Sequence, residues 1–352
     1  MNDYKVSIIV PYYNSASYLE RLITSVKGQS HRNFECILVD DGSSDGSFGL
    51  ADALTADDPR FRNVARPDQY RAGGRGAKNY GFTLSSGTFV VFFDSDDLMY
   101  DNHLSSRVAY LMEHPGKDAV VSDFGWRVME GKPKQIYRYN PVIFENFTAN
   151  VREDWFWLNY IDLRFWYNPG NPMWRRSSIE HKPMWDETTS IGEDHEYHAR
   201  LMLQGLDIGH LKVVTWDYMA NETSMISTSE AVRPLLSRSY GKTLVTRSLI
   251  QYLGFREPLV RKDLTWQMKI LRRVVACPKT DPERDKAIEI MFQRIRHVME
   301  ILGYGDLRRG VVLGLIRMTA LIHGMTGKMY SAYSWIIGDK YVTKDNDYFT
   351  IS

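Results

Sequence analysis

The sequence predicts an α/β protein, a doubly wound and mostly parallel sheet followed by a helical C-terminal region. Three observations carry that expectation. Short apolar runs without polar interruption, "KVSIIV" (5–10), "CILV" (36–39) and "FVVFF" (89–93), suit strands buried on both faces. Segments of helical length and spacing separate them, and strands alternating with helices imply parallel pairing. After about residue 230 the pattern is helical to the end of the chain. The 352 residues hold one domain over 1–229 and a smaller helical region over 230–352.

The elements follow in order. Pro11 stops the first strand. A helix at about 15–28 places Leu19, Leu22, Ile23 and Val26 on one face, with Gly28 after it. "FECILVDDGSSDGS" (34–47) is a second strand that ends in paired acids and turn residues, and a helix over 46–56 follows it. "RFRNVAR" supplies a third strand. The glycine-rich "RAGGRGAKNYGFTLSSG" (71–87) is partly helical and leads into the strand at 89. From residue 100 onward the pattern loosens into long, aromatic-rich connections, densest in "WFWLNYIDLRFWYNPGNPMWRRSSIE" (155–180).

The strand at 89 raises a chemical question, because "FVVFFDSDDLMY" ends a buried run with Asp94, Asp96 and Asp97. In open α/β sheets the C-terminal strand edge is where ligands bind. Residues two apart on an extended chain share a side, so Asp94 and Asp96 can converge while Asp97 faces away or starts the next turn. Two carboxylates about 4 Å apart repel by roughly 4 kcal/mol at an effective dielectric of 20, and they call for a proton or a cation between them. Oxygen-only donors favour a hard ion, Mg²⁺ or Mn²⁺. An acidic turn with helix-capping aspartates would read the same way in these residues alone. In "VDDGSSDGS", Asp41 at a strand end could accept the imide N–H of a uracil or thymine base. Tyr13 in "PYYN" could offer that base an aromatic face or a backbone group. Turn chemistry explains each piece equally well.

Four blocks in order, "VSIIVPYYNSASYLERLITSVKGQSHRNFECILVDDGSSDGS", "DPRF", "GAKNYGFTLSSGTFVVFFDSDD" and "GEDHEYHARLMLQG", resemble the family 2 glycosyltransferases of the GT-A fold over about residues 5–225. The resemblance implies an inverting transferase that uses a nucleotide-sugar donor, a UDP-sugar by expectation, and "DSDD" as the DxD element for Mn²⁺ or Mg²⁺. By position it places Pro11, Tyr13 and Asp41 at the nucleoside. Asp94, Ser95 and Asp96 fall at the ribose and the metal diphosphate, and Asp94 with Asp96 at the metal. Asp194 becomes the base, with Glu193 supporting it or binding the acceptor. The acceptor is expected to be a glycan or lipid-linked glycan of surface polysaccharide assembly. Where many relatives have Ala-Arg-Asn this chain has Ala77-Lys78-Asn79, and Lys78 keeps a point charge for a phosphate but lacks the bidentate fork. "DYMANETSMIST" (217–228) holds no histidine where some relatives place one near the metal.

Other features bound the reading. "GGRG" (73–76) follows the third strand rather than the first and does not fit a dinucleotide fingerprint. Trp155, Trp157, Trp166 and Trp174 could stack on an acceptor sugar, although aromatics this dense also build a core. The composition, 43% hydrophobic and 25% charged, is that of a soluble globular protein. Cys36 and Cys277 are its two cysteines, too few for a disulfide framework. The N-terminus lacks a signal-peptide succession, so a cytoplasmic location is expected. The first 229 residues are net acidic and the rest net basic. This suggests that the C-terminal region contacts the inner membrane surface or a sister subunit, with the apolar 310–325 stretch assisting, or that it docks on the acidic domain. Nucleic acid is not an expected partner. The rival activities are a nucleotidyltransferase, which would need a glycine-rich basic loop where "PYYNSASYL" stands, and a non-catalytic glycan-binding scaffold.

Overall fold

A computed structural model describes residues 3–128, 135–139, 143–161, 172–188, 193–220, 232–278, 280–303 and 349–351. The elements run β1 (Val6–Tyr12), α1 (Ala16–Lys27), β2 (Phe34–Asp40), α2 (Ser47–Thr55), β3 (Phe61–Ala65), α3 (Gly74–Leu84), β4 (Phe89–Phe92), β5 (Leu98–Met99), α4 (His103–Glu113), β6 (Ala119–Val128) and β7 (Gln135–Tyr139). They continue with α5 (Phe147–Asn150), α6 (Asp154–Ile161), β8 (Met173–Arg175), α7 (Arg176–Ile179), α8 (Glu193–Leu203), β9 (Ile208–Ala220), α9 (Val232–Leu253), α10 (Glu257–Ala276), α11 (Arg284–Ile301) and β10 (Phe349–Ile351).

The sheet order is β10-β7-β6-β8-β4-β1-β2-β3, with β9 beside β6 and β5 beside β9. β3, β2, β1 and β4 are mutually parallel. Beyond β4 the sheet turns mixed, since β8 runs antiparallel to both β4 and β6 while β9 is parallel to β6. The chain steps outward from β1 through β2 to β3 and then returns to the other side of β1 as β4. That reversal opens a crevice at the carboxyl ends of β1 and β4, the place where α/β sheets bind ligands. Register aligns the edge, because Tyr12 pairs with Asp40 and Ile9 with Phe92.

The burial explains the sequence pattern. Every residue of β1 and of β4 is buried, as strands covered on both faces require. On α1, Leu19, Leu22, Ile23 and Val26 form the buried face. α3 lies close against β1, and a Cβ on Gly81 would stand 2.5 Å from Ile9 Cγ2, so only glycine permits that approach. A β-bulge in the β6–β9 pairing falls at Asp123, a residue 2% exposed. Bulges re-aim a side chain, and this carboxylate accepts from His210 Nε2 at 2.7 Å and from the Tyr139 amide at 3.2 Å.

α9, α10 and α11 build a second apolar cluster around Leu264, Leu271, Met291 and Ile295. It abuts the sheet domain where α9 packs on α8 and α10 on α6. Lys242 of α9 is buried and donates to the Ile161 carbonyl at the end of α6. The helical expectation for 230–352 is met by α9, α10 and α11, but residues 349–351 form β10 instead, antiparallel to β7 in the sheet, and the 310–325 stretch lies outside the described residues. No helix among the described residues is long and apolar enough to cross a membrane.

Candidate active site

The ends of β1 and β2 are laced together by short turns. Asn14, at a positive φ of 46°, accepts from the Ser44 amide at 2.9 Å and donates its own amide to Ser43 Oγ at 2.9 Å. This leaves Pro11 buried and Tyr13 58% exposed, so the Tyr13 ring has a face to offer. The paired acids of β2 divide their work. Asp40 accepts from the amides of Gly42 and Ser43 and shapes the turn. Asp41 points across to the loop before α3, where Oδ1 receives Arg66 Nε and Oδ2 receives the Gly73 amide at 2.7 Å. The sequence reading gave Asp41 to a base imide. In the structure both of its oxygens already accept one bond, which leaves a single lone pair on each for a ligand. Arg66 lies 25 residues away, and no local signal announced the pair.

The DSDD turn follows β4. Asp94, Ser95 and Asp96 are half-buried. Asp94 Oδ1 lies 3.7 Å from the ammonium of Lys78, which is itself buried. Ser95 Oγ is 3.1 Å from Ser15 Oγ, and the Asp96 carbonyl accepts from Arg21 Nη2 at 2.6 Å. Asp97 faces inward with no exposure and accepts the Met219 amide of β9 at 2.9 Å. Burial and then the charge of Asp94 push the Asp96 carboxyl up to about 6. Asp94 is raised by burial and by Asp194 against the pull of Lys78, and Asp97 by burial and by Asp96 and Asp94. All three acids thus occupy one strained volume of negative charge. The hydroxyl of Tyr218 is raised by burial and by the charge of these three acids and of Asp194. It belongs to the site although the sequence did not single it out.

That excess of carboxylate charge is what a divalent cation relieves. Among the described residues no group of three or more His, Cys, Asp or Glu is placed to hold a metal. The oxygen donors present at the turn are the carboxylates of Asp94 and Asp96, a donor type that suits Mg²⁺ or Mn²⁺.

Opposite the turn, α8 begins with Glu193 and Asp194, where the helix N-terminus favours negative charge. Burial raises Asp194, but the side-chain and amide hydrogen bonds from His195 together with the His195 and His198 rings more than offset it and hold the carboxyl below its ordinary range. The His195 amide donates to Asp194 Oδ1 at 2.9 Å. Glu193 shifts the other way, raised by burial against Lys78 and with the charge of Asp194 adding to the rise. Two neighbouring acids are thus shifted in opposite directions, the pattern in which an acid and a base are paired. Behind them Trp185 stacks on Tyr197 with ring centroids 4.1 Å apart, and Lys78 Nζ sits 4.4 Å from the Trp185 ring. Asn79 clasps the Trp185 backbone and Glu187. Lys78, drawn from the departure at Ala77-Lys78-Asn79, thus reaches Asp94 and α8 together.

The four tryptophans offered as candidates either for the core or for stacking on an acceptor separate. Trp157 and Trp174 are fully buried; Trp157 Nε1 donates to the Val151 carbonyl, and Trp174 lies in β8 between β4 and β6. Neither presents a face to a sugar, because the mixed half of the sheet uses them as core. Trp155 is half-buried against the core, and Trp166 lies outside the described residues. Trp174→Ala should accordingly lower the unfolding free energy by about 3–5 kcal/mol, read by urea denaturation. Unchanged stability with a raised acceptor KM would return Trp174 to the binding surface.

Residues 7–170 match the family model described as glycosyl transferase family 2. The chain is 32% identical over 119 residues to glycosyltransferase GlyG of Streptococcus pneumoniae, an alignment spanning 34% of this chain and 38% of that protein. It is 34% identical over 114 residues to the UDP-Glc:alpha-D-GlcNAc-diphosphoundecaprenol beta-1,3-glucosyltransferase WfgD of Escherichia coli, covering 32% of this chain and 44% of that one. The alignments thus span less than half of these relatives' own length. In structure the chain resembles S. aureus TarS 1-349 in complex with UDP-GlcNAc, with a TM-score of 0.62 and 16% identity over 99% of this chain and 96% of that one.

Proposed function

Since the chain belongs to glycosyl transferase family 2 and has the GT-A fold, we propose that it transfers a sugar, with inversion, from a nucleoside diphosphate donor to a hydroxyl of a lipid-linked glycan. The observation that carries the reading is the gathering of Asp94, Asp96 and Asp194 closely enough for their charges to act on one another, with Lys78 3.7 Å from Asp94, the first two acids raised and Asp194 lowered.

Tyr13 and Asp41 take the nucleoside, the Tyr13 ring by its exposed face. Asp94 and Asp96 would hold Mn²⁺ or Mg²⁺, with Ser95 beside them and Lys78 adding a fixed positive charge. When bound, that ion supplies positive charge to the leaving diphosphate. The Asp194 carboxylate takes the proton of the acceptor hydroxyl as its oxygen bonds to the anomeric carbon. The bond from that carbon to the diphosphate oxygen breaks, and its electron pair leaves with the nucleotide. Attack and departure on opposite faces of the ring invert the configuration. Glu193 supports Asp194 or binds the acceptor. WfgD acts on a diphosphoundecaprenol-linked sugar by its name, and this motivates a lipid-linked acceptor and a UDP donor. A lipid-linked acceptor also gives the net basic region 230–352 a reason to meet an anionic membrane surface from the cytoplasmic side. Contact with a second copy is the other use of that region.

Incubation with UDP-, GDP- and dTDP-sugars, Mn²⁺ and a diphosphoundecaprenol-linked sugar tests the reading. Acceptor-dependent release of one nucleoside diphosphate is the expected result. No release from any donor would overturn it.

A further inference from the structure

The "GGRG" turn is left without a role by the reading above. It forms the N-terminus of α3, an 11-residue helix whose N-cap is Gly73 and which has no side-chain cap. Arg75 sits in the first turn, and it is 8% exposed. Its Nε is buried without a hydrogen-bond partner, and among the described residues no carboxylate forms an ion pair with it. A buried guanidinium left like this is costly unless an anion completes it. The side chain folds back over the helix N-terminus, since a Cβ on Gly73 would stand 2.7 Å from Arg75 Nη2. Gly73 is held at φ 118°, a conformation that favours glycine. A Cβ on Gly76 would stand 2.0 Å from the Arg71 carbonyl. Gly73 thus leaves room for the guanidinium, and Gly76 leaves room for the Arg71 backbone that enters the turn. Gly73 also donates its amide to Asp41, at the nucleoside end of the crevice. Arg75 makes its charge felt at Glu193, at the other end. The turn therefore spans the crevice between the two ends where a donor would lie.

We propose that residues 73–76 form an anion-binding site, with the Arg75 guanidinium and the uncapped first turn of α3 taking an anionic oxygen group of the donor. The site rests on the transferase reading and deepens it. A helix N-terminus favours such a group, and a guanidinium matches it with paired donors. Two parts of a donor carry that chemistry, the diphosphate and a carboxylate on the transferred sugar, as in a uronic acid.

Calorimetric titration distinguishes them. Wild type and Arg75→Met are compared with whichever of UDP, GDP and dTDP the wild type binds best. The free nucleoside and the glucose and glucuronate conjugates of that nucleotide complete the set, and circular dichroism confirms folding. If the diphosphate is the ligand, Arg75→Met weakens all three diphosphates by about 10- to 100-fold and leaves the nucleoside unchanged. If the carboxylate is the ligand, only the glucuronate conjugate weakens. Unchanged binding of all three overturns the site alone. Failure of the wild type to bind any of the three nucleotides overturns the transferase reading and the site with it. Should Arg75→Met not fold, Arg75→Lys carries the test, because it keeps the charge but loses the fork. An intermediate loss supports the site, and wild-type affinities for all three diphosphates remove it.

Discussion

Asp194→Asn is expected to lower kcat by about 10² or more while the donor dissociation constant changes little. Asparagine keeps the shape and can still accept the His195 amide, so the turn at the start of α8 should survive. What it removes is the ability to take a proton. Asp194 is the acid at the crevice whose carboxyl is held below the ordinary range, whereas Glu193, Asp94, Asp96 and Asp97 are all raised. A base must be ionised to act, and the depressed group stays ionised as pH falls well below neutrality. If Asp194→Asn turned over normally, or lost activity only through lost donor binding, the base would have to be sought at Glu193.

Removing Asp96 should have an effect of similar or greater size. Asp96→Ala is expected to abolish metal-dependent turnover and leave the melting temperature near that of the wild type, because losing the half-buried carboxylate relieves both its burial cost and its repulsion with Asp94. The pH dependence follows from the same group. Cation binding needs the ionised form, so the apparent affinity for Mn²⁺ should fall as pH drops through about 6. Full activity of Asp96→Ala, or of the wild type in excess EDTA, would remove the metal from the mechanism.

Much of this crevice was legible in the sequence because it is built from strand ends. A parallel strand buried on both faces must be apolar throughout, so the first polar residues after "SIIV", "CILV" and "FVVFF" mark the ligand edge, and the positions of Asp41, Asp94 and Asp96 follow. The partners were not legible. Arg66 meets Asp41, and Asp97 meets the Met219 amide, over separations that no local pattern encodes. The aromatic stretch was ambiguous for a different reason. Trp157 and Trp174 serve the mixed half of the sheet, where neighbouring strands and helices decide whether a ring is core or surface. Arg75 was visible only as part of a glycine-rich turn, and its burial without an acid partner is a property of the folded chain alone.

The bond from the Met219 amide to Asp97 has a consequence for the order in which the molecule comes into being. Residues 6–92 contain β1 to β4 and could pair as soon as they leave the ribosome. The acidic turn that follows is fixed from beneath by β9, 122 residues further on. At roughly 5–20 residues per second that strand emerges many seconds later. Until then a nascent chain carries three crowded carboxylates on a finished strand edge, held from residues already made by Ser15, Arg21 and Lys78 but without the bond that seats Asp97. The segment matched by the family model ends at residue 170, before β9 begins, so a fragment cut at that limit would lack the strand that seats its own acidic turn.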